Sequence, residues 1–155
     1  MQLPLTGRCL CGAIQYRITD EPITIYACHC TECQRQSGSA FGLSMWVAHD
    51  ALEIVAGTPK CWRRPVEDRY VDVFFCADCG TTLFVEPQRA PEVRIVKPGT
   101  LDDTKWLHPI GHQWVHSAQP WVDLSAWDTK FDRQGDGTRW RQAWSHARRH
   151  FQKQT

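Results

Sequence analysis

The sequence predicts a mainly β protein that ends in a helix, and three observations support this fold class. Polar and apolar residues alternate with a period of two through much of the first hundred positions, as in half-buried strands. Seven of the eight cysteines fall into three tight groups, a spacing more typical of metal sites than of disulfides. After residue 138 the apolar residues change to a helical spacing.

The strands are predicted from the alternation and from the turn residues between them. Residues 14–18 place Ile14, Tyr16 and Ile18 on one face, and residues 41–47 show the same pattern. Shorter candidates lie between Gly, Pro and Asp turn signals, at residues 52–55, 71–75, 81–85 and 93–96. We therefore expect antiparallel sheets built from short strands.

Two helices are predicted, a short one after the first strand and a longer one at the C-terminus. Residues 31–36 form about one helical turn, which Gly38 ends. The second helix begins at a Thr138 N-cap after the polar segment 132–137, and it buries an apolar stripe while its cations face solvent. The stripe consists of Trp140, Ala143, Trp144, Ala147 and Phe151, and the cations are Arg139, Arg141, Arg148, Arg149 and Lys153.

The charge balance of the 155 residues argues against some classes of partner. Lys and Arg total 18 against 17 Asp and Glu, and a formal net charge of +1 does not favour electrostatic binding to nucleic acids. No apolar run approaches the length of a membrane helix, about 20 residues, and residues 1–8 lack the features of a secretory signal. We therefore expect a cytoplasmic protein whose thiols stay reduced.

The first and third cysteine groups predict a structural zinc site. Cys76 and Cys79 flank a two-residue turn between predicted strands, and Gly80 follows as a residue able to adopt a positive φ. Two cysteines cannot close a tetrahedral site, so Cys9 and Cys11, at the head of another strand, are the expected second pair. The alternative is two unrelated pairs of buried thiols.

The middle group, Cys28, Cys30 and Cys33, predicts a zinc site of a different kind. Structural zinc sites have four protein ligands, whereas catalytic sites keep one position for water or substrate. A zinc ion with three thiolates carries a net negative charge, which suits it poorly to generating hydroxide and well to a further soft sulfur ligand. We therefore expect a catalytic centre that binds the thiol of a substrate as a thiolate.

Other residues are alternatives that would close this second site and make it structural. Cys61 is the remaining cysteine, and a histidine is the other option. His29 lies between two ligands, so we expect its ring to point away from the metal. His112 is retained as a fourth ligand or a substrate contact, and on a strand it would share a face with His116. The substrate-binding residues and any general acid are not identified by these patterns.

Four segments of the chain carry a resemblance to a known family. They are GRCLCG at 7–12, CHCTECQRQSG at 28–38, FCADCG at 75–80 and QPW at 119–121. In order and spacing they resemble the glutathione-dependent formaldehyde-activating enzymes, also called S-(hydroxymethyl)glutathione synthases, whose relatives include centromere protein V. The chain departs from that family at Ala77, where proline is frequent, and at Ala118 and Gln119, where lysine is common.

The resemblance implies a β-rich, tent-like fold over residues 5–132. Residues 133–155 have no recognised counterpart, and we expect them to be a linker and a helix appended to the same domain. The implied activity is that of a carbon–sulfur lyase or synthase, in which a small thiol such as glutathione adds to formaldehyde or a related aldehyde. A non-catalytic, zinc-stabilised module that binds a protein or a nucleic acid is the alternative. The implied metal ligands are Cys9, Cys11, Cys76 and Cys79 for a structural zinc, and Cys28, Cys30 and Cys33 for a catalytic zinc.

Overall fold

The computed structural model of the protein describes residues 1–124 and 129–151, with side chains described as far as residue 147 in the last helix. Contacts between residues divide the chain into two compact units, each discontinuous in sequence. The first comprises Met1–Pro22 and Met45–Leu107, and the second comprises Ile23–Ser44 and His108–Thr155. No helix in the described part of the chain combines the length and the apolar character that crossing a bilayer requires.

Strands dominate the structure, which confirms the predicted mainly β fold class with a C-terminal helix. The helices are α1 (Thr31–Ser37) and α2 (Gly137–Phe151). The strands are β1 (Leu5–Arg8), β2 (Gln15–Ile18), β3 (Thr24–Cys28), β4 (Gly42–Ala48), β5 (Leu52–Ala56), β6 (Lys60–Val66), β7 (Arg69–Phe75), β8 (Thr82–Pro87), β9 (Val93–Val96), β10 (Gly111–Gln113) and β11 (Thr129–Phe131).

The first unit contains two antiparallel sets of strands. One is a three-stranded sheet in the order β1-β2-β5. The other has the strand order β6-β7-β8-β9, with each neighbouring pair antiparallel. The last part of β4, Met45–Ala48, pairs with the other edge of β9. The buried faces of these strands form the core of the unit, in which Ile18, Met45 and Leu83 are fully buried.

The second unit is built around β10, which pairs in parallel with both β3 and β11. These parallel ladders differ from the predicted antiparallel sheets. A chain that returns after a long connection can enter in either direction, whereas a short hairpin enforces the antiparallel one. His112 lies opposite Ala27 and Gln113 lies opposite Cys28, so this ladder brings β10 to the middle cysteine group.

Helix α1 follows the prediction closely. It ends at Gly38, whose φ of 61° lies in the left-handed region and whose N–H bonds to the carbonyl of Gln34. The left-handed conformation costs a residue with a Cβ about 1 kcal/mol, which explains the glycine.

Helix α2 starts one residue before the predicted N-cap. The carboxylate of Asp136 accepts the N–H of Arg139 at 2.9 Å, so Asp136 caps the helix in place of Thr138. Trp140 and Trp144 are buried while Arg139 and Arg141 are exposed, which confirms the amphipathic pattern as far as the side chains are described. The predicted positions Arg148, Arg149, Phe151 and Lys153 lie outside the described side chains.

Candidate metal centres

The first cluster lies in the first unit and consists of Cys9, Cys11, Cys76 and Cys79. Their four Sγ atoms all lie within 4.8 Å of one another, with 3.5 Å between Cys9 and Cys11 and 3.7 Å between Cys11 and Cys76. A tetrahedral zinc ion with Zn–S bonds of about 2.3 Å requires sulfurs about 3.8 Å apart. The geometry of this four-cysteine cluster therefore fits zinc, with ligands from the two pairs that the sequence predicts.

Two similar turns present these sulfurs. The N–H of Cys9 donates to the carbonyl of Ile14 at 3.0 Å, and the N–H of Cys76 donates to the carbonyl of Thr81 at 2.9 Å. The predicted positive φ of Gly80 is confirmed, at 73°. The N–H of Ile14 also donates to the Cys9 sulfur at 3.3 Å, as backbone amides do around bound thiolates.

Thr81 connects the two turns, a role that the sequence prediction missed. Its hydroxyl oxygen accepts the N–H of Leu10 at 3.1 Å and lies 3.2 Å from the Cys79 sulfur. The hydrogen bonds from the side chain and backbone of Thr81 lower the pKa of the Cys79 thiol to about 5. This thiol is therefore ready to bind a metal at neutral pH.

The second cluster lies in the second unit and consists of Cys28, Cys30 and Cys33. Cys28 is the last residue of β3, Cys30 is the N-cap of α1, and Cys33 lies in the first turn of that helix. Their three Sγ atoms lie within 4.8 Å of one another, so a strand end followed directly by a helix start suffices to bring them together. Cys28 is buried, whereas Cys30 and Cys33 are partly exposed.

The three thiols of this three-cysteine cluster cannot all ionise without a cation. Hydrogen bonds from Cys28 and Cys33 lower the pKa of Cys30 to about 2, and hydrogen bonding to Cys30 and Cys33 raises the pKa of Cys28 far above its usual value. Cys30 thus carries the charge while Cys28 stays protonated. A bound metal ion removes this restriction, because a coordinated thiol is deprotonated outright, so the donor set fits zinc.

The three-cysteine cluster offers three ligand atoms among the described residues, one from each cysteine. Among the described side chains, those of residues 1–124 and 129–147, no further Cys, His, Asp or Glu offers a ligand atom in the same 4.8 Å span. Cys61, one of the alternatives considered for closing the site, is an exposed thiol on β6. The four-cysteine cluster supplies a complete tetrahedron, and the three-cysteine cluster supplies one ligand fewer.

His29 and His112 bond to each other beside the three-cysteine cluster. Nε2 of His29 lies 2.7 Å from Nδ1 of His112, and both rings are buried. Burial lowers the pKa of both rings, to about 4 for His112, so both are neutral at pH 7. The expectation that His112 shares a strand face with His116 is wrong, because β10 ends at Gln113 and Trp114 then adopts a left-handed conformation with a φ of 59°.

Side-chain amides and hydroxyls hold the peptide between Cys28 and Cys30. Nε2 of Gln34 donates to the carbonyl of His29 at 2.7 Å and to the carbonyl of Ser117 at 2.8 Å. The Ser117 hydroxyl donates to the same His29 carbonyl at 3.0 Å. The two contacts that involve Ser117 join residues more than 80 positions apart, so no local sequence signal could have identified them.

One amide reaches a sulfur of the three-cysteine cluster directly. Nε2 of the buried Gln113 donates to Sγ of Cys28 at 3.6 Å. No sequence pattern identifies Gln113, because its contact with Cys28 depends on the register of β10 against β3.

Comparison with known proteins places this geometry in a family. The sequence profile of the family described as glutathione-dependent formaldehyde-activating enzyme matches residues 4–117, which include all seven clustered cysteines. A protein of Penicillium rubens, provisionally named as such an enzyme, is 28% identical over 109 residues, which cover 66% of this chain. The aligned region spans 56% of that relative's length.

A solved structure shares the fold. The crystal structure of a Rhodobacter sphaeroides protein superposes with a TM-score of 0.54 at 20% sequence identity, covering 65% of this chain and 91% of that one. At this identity the likeness concerns the fold alone. The family profile, in contrast, covers most of the chain and the residues of both cysteine clusters, so the protein is a member of the glutathione-dependent formaldehyde-activating enzyme family.

Proposed function

We propose that this protein is an enzyme of carbon–sulfur chemistry that adds a small thiol, such as glutathione, to formaldehyde or a related small aldehyde. The observation that carries the proposal is the three-cysteine cluster. It offers three sulfurs, two of them partly exposed, and the described residues supply no fourth ligand. With three protein ligands, a soft metal held there would have one position for a further ligand, and a thiol is the ligand that such a position would favour.

Each cysteine cluster would hold one zinc ion. Cys9, Cys11, Cys76 and Cys79 would form the structural site, and Cys28, Cys30 and Cys33 would form the catalytic one. When bound at the three cysteines, zinc would lower the pKa of an incoming thiol and keep it ionised at neutral pH. All eight cysteines are free thiols, as expected in a reducing compartment such as the cytoplasm.

Hydrogen bonds within the chain hold the three sulfurs in position. Gln34 and Ser117 fix the peptide that joins Cys28 to Cys30, and the Cys30 sulfur accepts the N–H of Cys33 at 3.4 Å. The three sulfurs are thereby placed before any substrate arrives. Thiols add to formaldehyde unaided, so the rate gain comes from a higher thiolate fraction and from holding the two reactants together.

The chemical step conserves every atom of both reactants. The sulfur of the thiolate forms a bond to the carbonyl carbon, and the π electrons of the C=O bond move to the oxygen. The oxygen takes up one proton, which balances the proton released when the thiol ionised. The product is a hemithioacetal, and the reverse reaction cleaves the same carbon–sulfur bond as a lyase does.

Cobalt substitution tests the proposal, because Co²⁺ reports its thiolate ligands through sulfur-to-metal charge-transfer absorption. Titrating the cobalt protein with glutathione should change this absorption, since a fourth thiolate joins the three-cysteine cluster. S-methylglutathione is the matched control and should leave the spectrum unchanged, because its sulfur cannot ionise. An identical spectrum with and without glutathione would contradict the proposal and favour the non-catalytic binding module.

Two variants test whether the glutathione-dependent change in absorption arises at the three-cysteine cluster. Cys30→Ser should abolish the glutathione-dependent change, because the three-cysteine cluster then lacks a ligand. Cys61→Ser removes an exposed cysteine outside both clusters and should respond like the wild type. A glutathione response that survives in Cys30→Ser would assign thiol binding to another part of the protein.

A further inference from the structure

Gln113 and Cys28 face each other across a parallel ladder. They are register partners in the pairing of β10 with β3, so their side chains emerge on the same side of the strands. Gln113 is 3% exposed and Cys28 is 4% exposed. Within this buried environment the amide Nε2 lies 3.6 Å from the sulfur, the distance of an N–H···S hydrogen bond.

The orientation of the Gln113 amide is fixed by its oxygen. Oε1 accepts the backbone N–H of Gly135 at 3.0 Å and the indole N–H of Trp140 at 3.3 Å. Both groups are donors that cannot accept, so they must face the oxygen and not the NH₂ group. The NH₂ group is therefore directed at Cys28, and the amide cannot be reversed without two buried donors losing their acceptor.

The position of Trp140 is in turn fixed by packing. The indole is fully buried and stacks on Tyr26 of β3, with 4.6 Å between ring centroids and 15° between ring planes. Phe131 lies against it at 4.8 Å. Gly135 allows this approach, because a Cβ there would collide with the Trp140 nitrogen and with the Phe131 ring.

These contacts link the end of the chain to the three-cysteine cluster. Gly135 and Trp140 lie beyond residues 4–117, the part that the family profile matches. They reach the cluster through a single side chain, since Gln113 accepts from them and donates to Cys28. The C-terminal helix thus does more than cover apolar surface in this protein.

We infer that Gln113 is a positioning residue of the three-cysteine cluster, and that the C-terminal segment, through Trp140, sets its amide to donate a hydrogen bond to the Cys28 thiolate. The inference rests on the proposed metal site. A metal with three thiolates is already negatively charged, so a fourth thiolate is bound against repulsion. An N–H donor on one sulfur offsets part of that charge, and the predicted consequence is tighter binding of the substrate thiol.

Two variants and a matched control test the inference by cobalt spectroscopy. Trp140→Phe keeps an aromatic ring on Tyr26, and with the smaller ring it removes the indole N–H, one of the donors that orient Gln113. Trp144→Phe is the same substitution one turn later on the same buried face, and the indole nitrogen of Trp144 has no hydrogen-bond partner among the described residues. Gln113→Glu keeps an acceptor for Gly135 and Trp140 but removes the donor to Cys28.

The inference predicts a specific pattern among these proteins. Gln113→Glu should shift the charge-transfer band and raise the glutathione dissociation constant about tenfold, the equivalent of one hydrogen bond to a charged group. Trp140→Phe should shift the band in the same direction by less, and Trp144→Phe should leave band and affinity unchanged. Each protein should still bind two cobalt ions. If Gln113→Glu fails to fold, the pair Trp140→Phe and Trp144→Phe carries the test.

The possible failures are distinguishable. If the wild type binds only one cobalt ion and Cys30→Ser has the same spectrum, the three-cysteine metal site is wrong and the inference falls with it. If the wild type binds two cobalt ions and responds to glutathione, but Trp140→Phe and Trp144→Phe have wild-type spectra and affinities, the inference alone is overturned. Equal shifts in both Trp variants would also overturn it, because they would indicate a general packing effect.

Discussion

The two cysteine clusters use the same ligand atom but differ in how far apart their ligands lie in the sequence. In the four-cysteine cluster, Cys11 and Cys76 are 65 residues apart and belong to two separate turns. In the three-cysteine cluster, all ligands fall between Cys28 and Cys33, on one strand end and one helix start. A metal that joins distant turns contributes to folding, whereas one bound by a local segment can be lost with little effect on the fold.

The strongest test of this contrast is Cys76→Ser, which should show the largest effect. It leaves the four-cysteine cluster without a complete tetrahedron, and zinc at such sites contributes about 10–16 kcal/mol in small zinc-binding peptides, as much as the whole stability of a typical domain. We expect loss of cooperative thermal unfolding, followed by circular dichroism, together with reduced zinc content. A variant that unfolds within a few degrees of the wild type would contradict the structural role.

Cys30→Ser should separate function from stability. It should cost one zinc ion and the thiol-dependent activity, while circular dichroism and the unfolding temperature change little, because the ligands of the three-cysteine cluster are already close in sequence. Zinc analysis, an assay of hemithioacetal formation and a thermal melt measure the three quantities. Equal loss of stability in Cys30→Ser and Cys76→Ser would break the comparison.

Thr81→Val should give an intermediate effect confined to the four-cysteine cluster. The substitution keeps the shape of the side chain but removes the oxygen that accepts the Leu10 N–H and contacts the Cys79 sulfur. We expect a loss of about 1–2 kcal/mol in the free energy of unfolding, measured by urea denaturation. Thr82→Val, at the next position along the chain, is the control. An effect on thiol binding at the three-cysteine cluster would be unexpected.

The smallest predicted effects come from two glycines in the left-handed region, one beside each cluster. Gly80→Ala and Gly38→Ala should each cost about 1 kcal/mol, because no atom of the described residues lies within 4 Å of the new methyl group and only the backbone conformation is strained. Gly80→Ala should also weaken zinc retention against a chelator at the four-cysteine cluster. Gly38→Ala, at the end of α1, should leave that retention unchanged.

The parts of the fold that the sequence predicted are those with a local signal. Val93–Val96 and the end of α1 at Gly38 were predicted because alternation and a left-handed glycine are visible within a few residues. Strands β3 and β6 were missed for opposite reasons. All five residues of β3 are buried, and β6 is a largely exposed edge strand that includes Pro65, so neither alternates.

The residues of the candidate site also divide into those with a local sequence signal and those without one. Its seven cysteines were identified because ligand spacing is a local property of the sequence. Gln113, Ser117 and Thr81 were missed, since their roles depend on which distant strands and turns meet. Nothing in the neighbouring residues of Gln113 indicates that it faces Cys28, because the parallel pairing of β10 with β3 sets that contact.

The parallel ladder of the second unit has a consequence for synthesis on the ribosome. Gln113 follows Cys28 by 85 residues, an interval that translation at about 5–20 residues per second covers in roughly 4–17 s. For part of this time the three neighbouring thiols have left the exit tunnel, but β10, the strand that carries Gln113, has not yet been made. A nascent chain can therefore capture a metal ion, or be oxidised, at these thiols well before the rest of the second unit has been made.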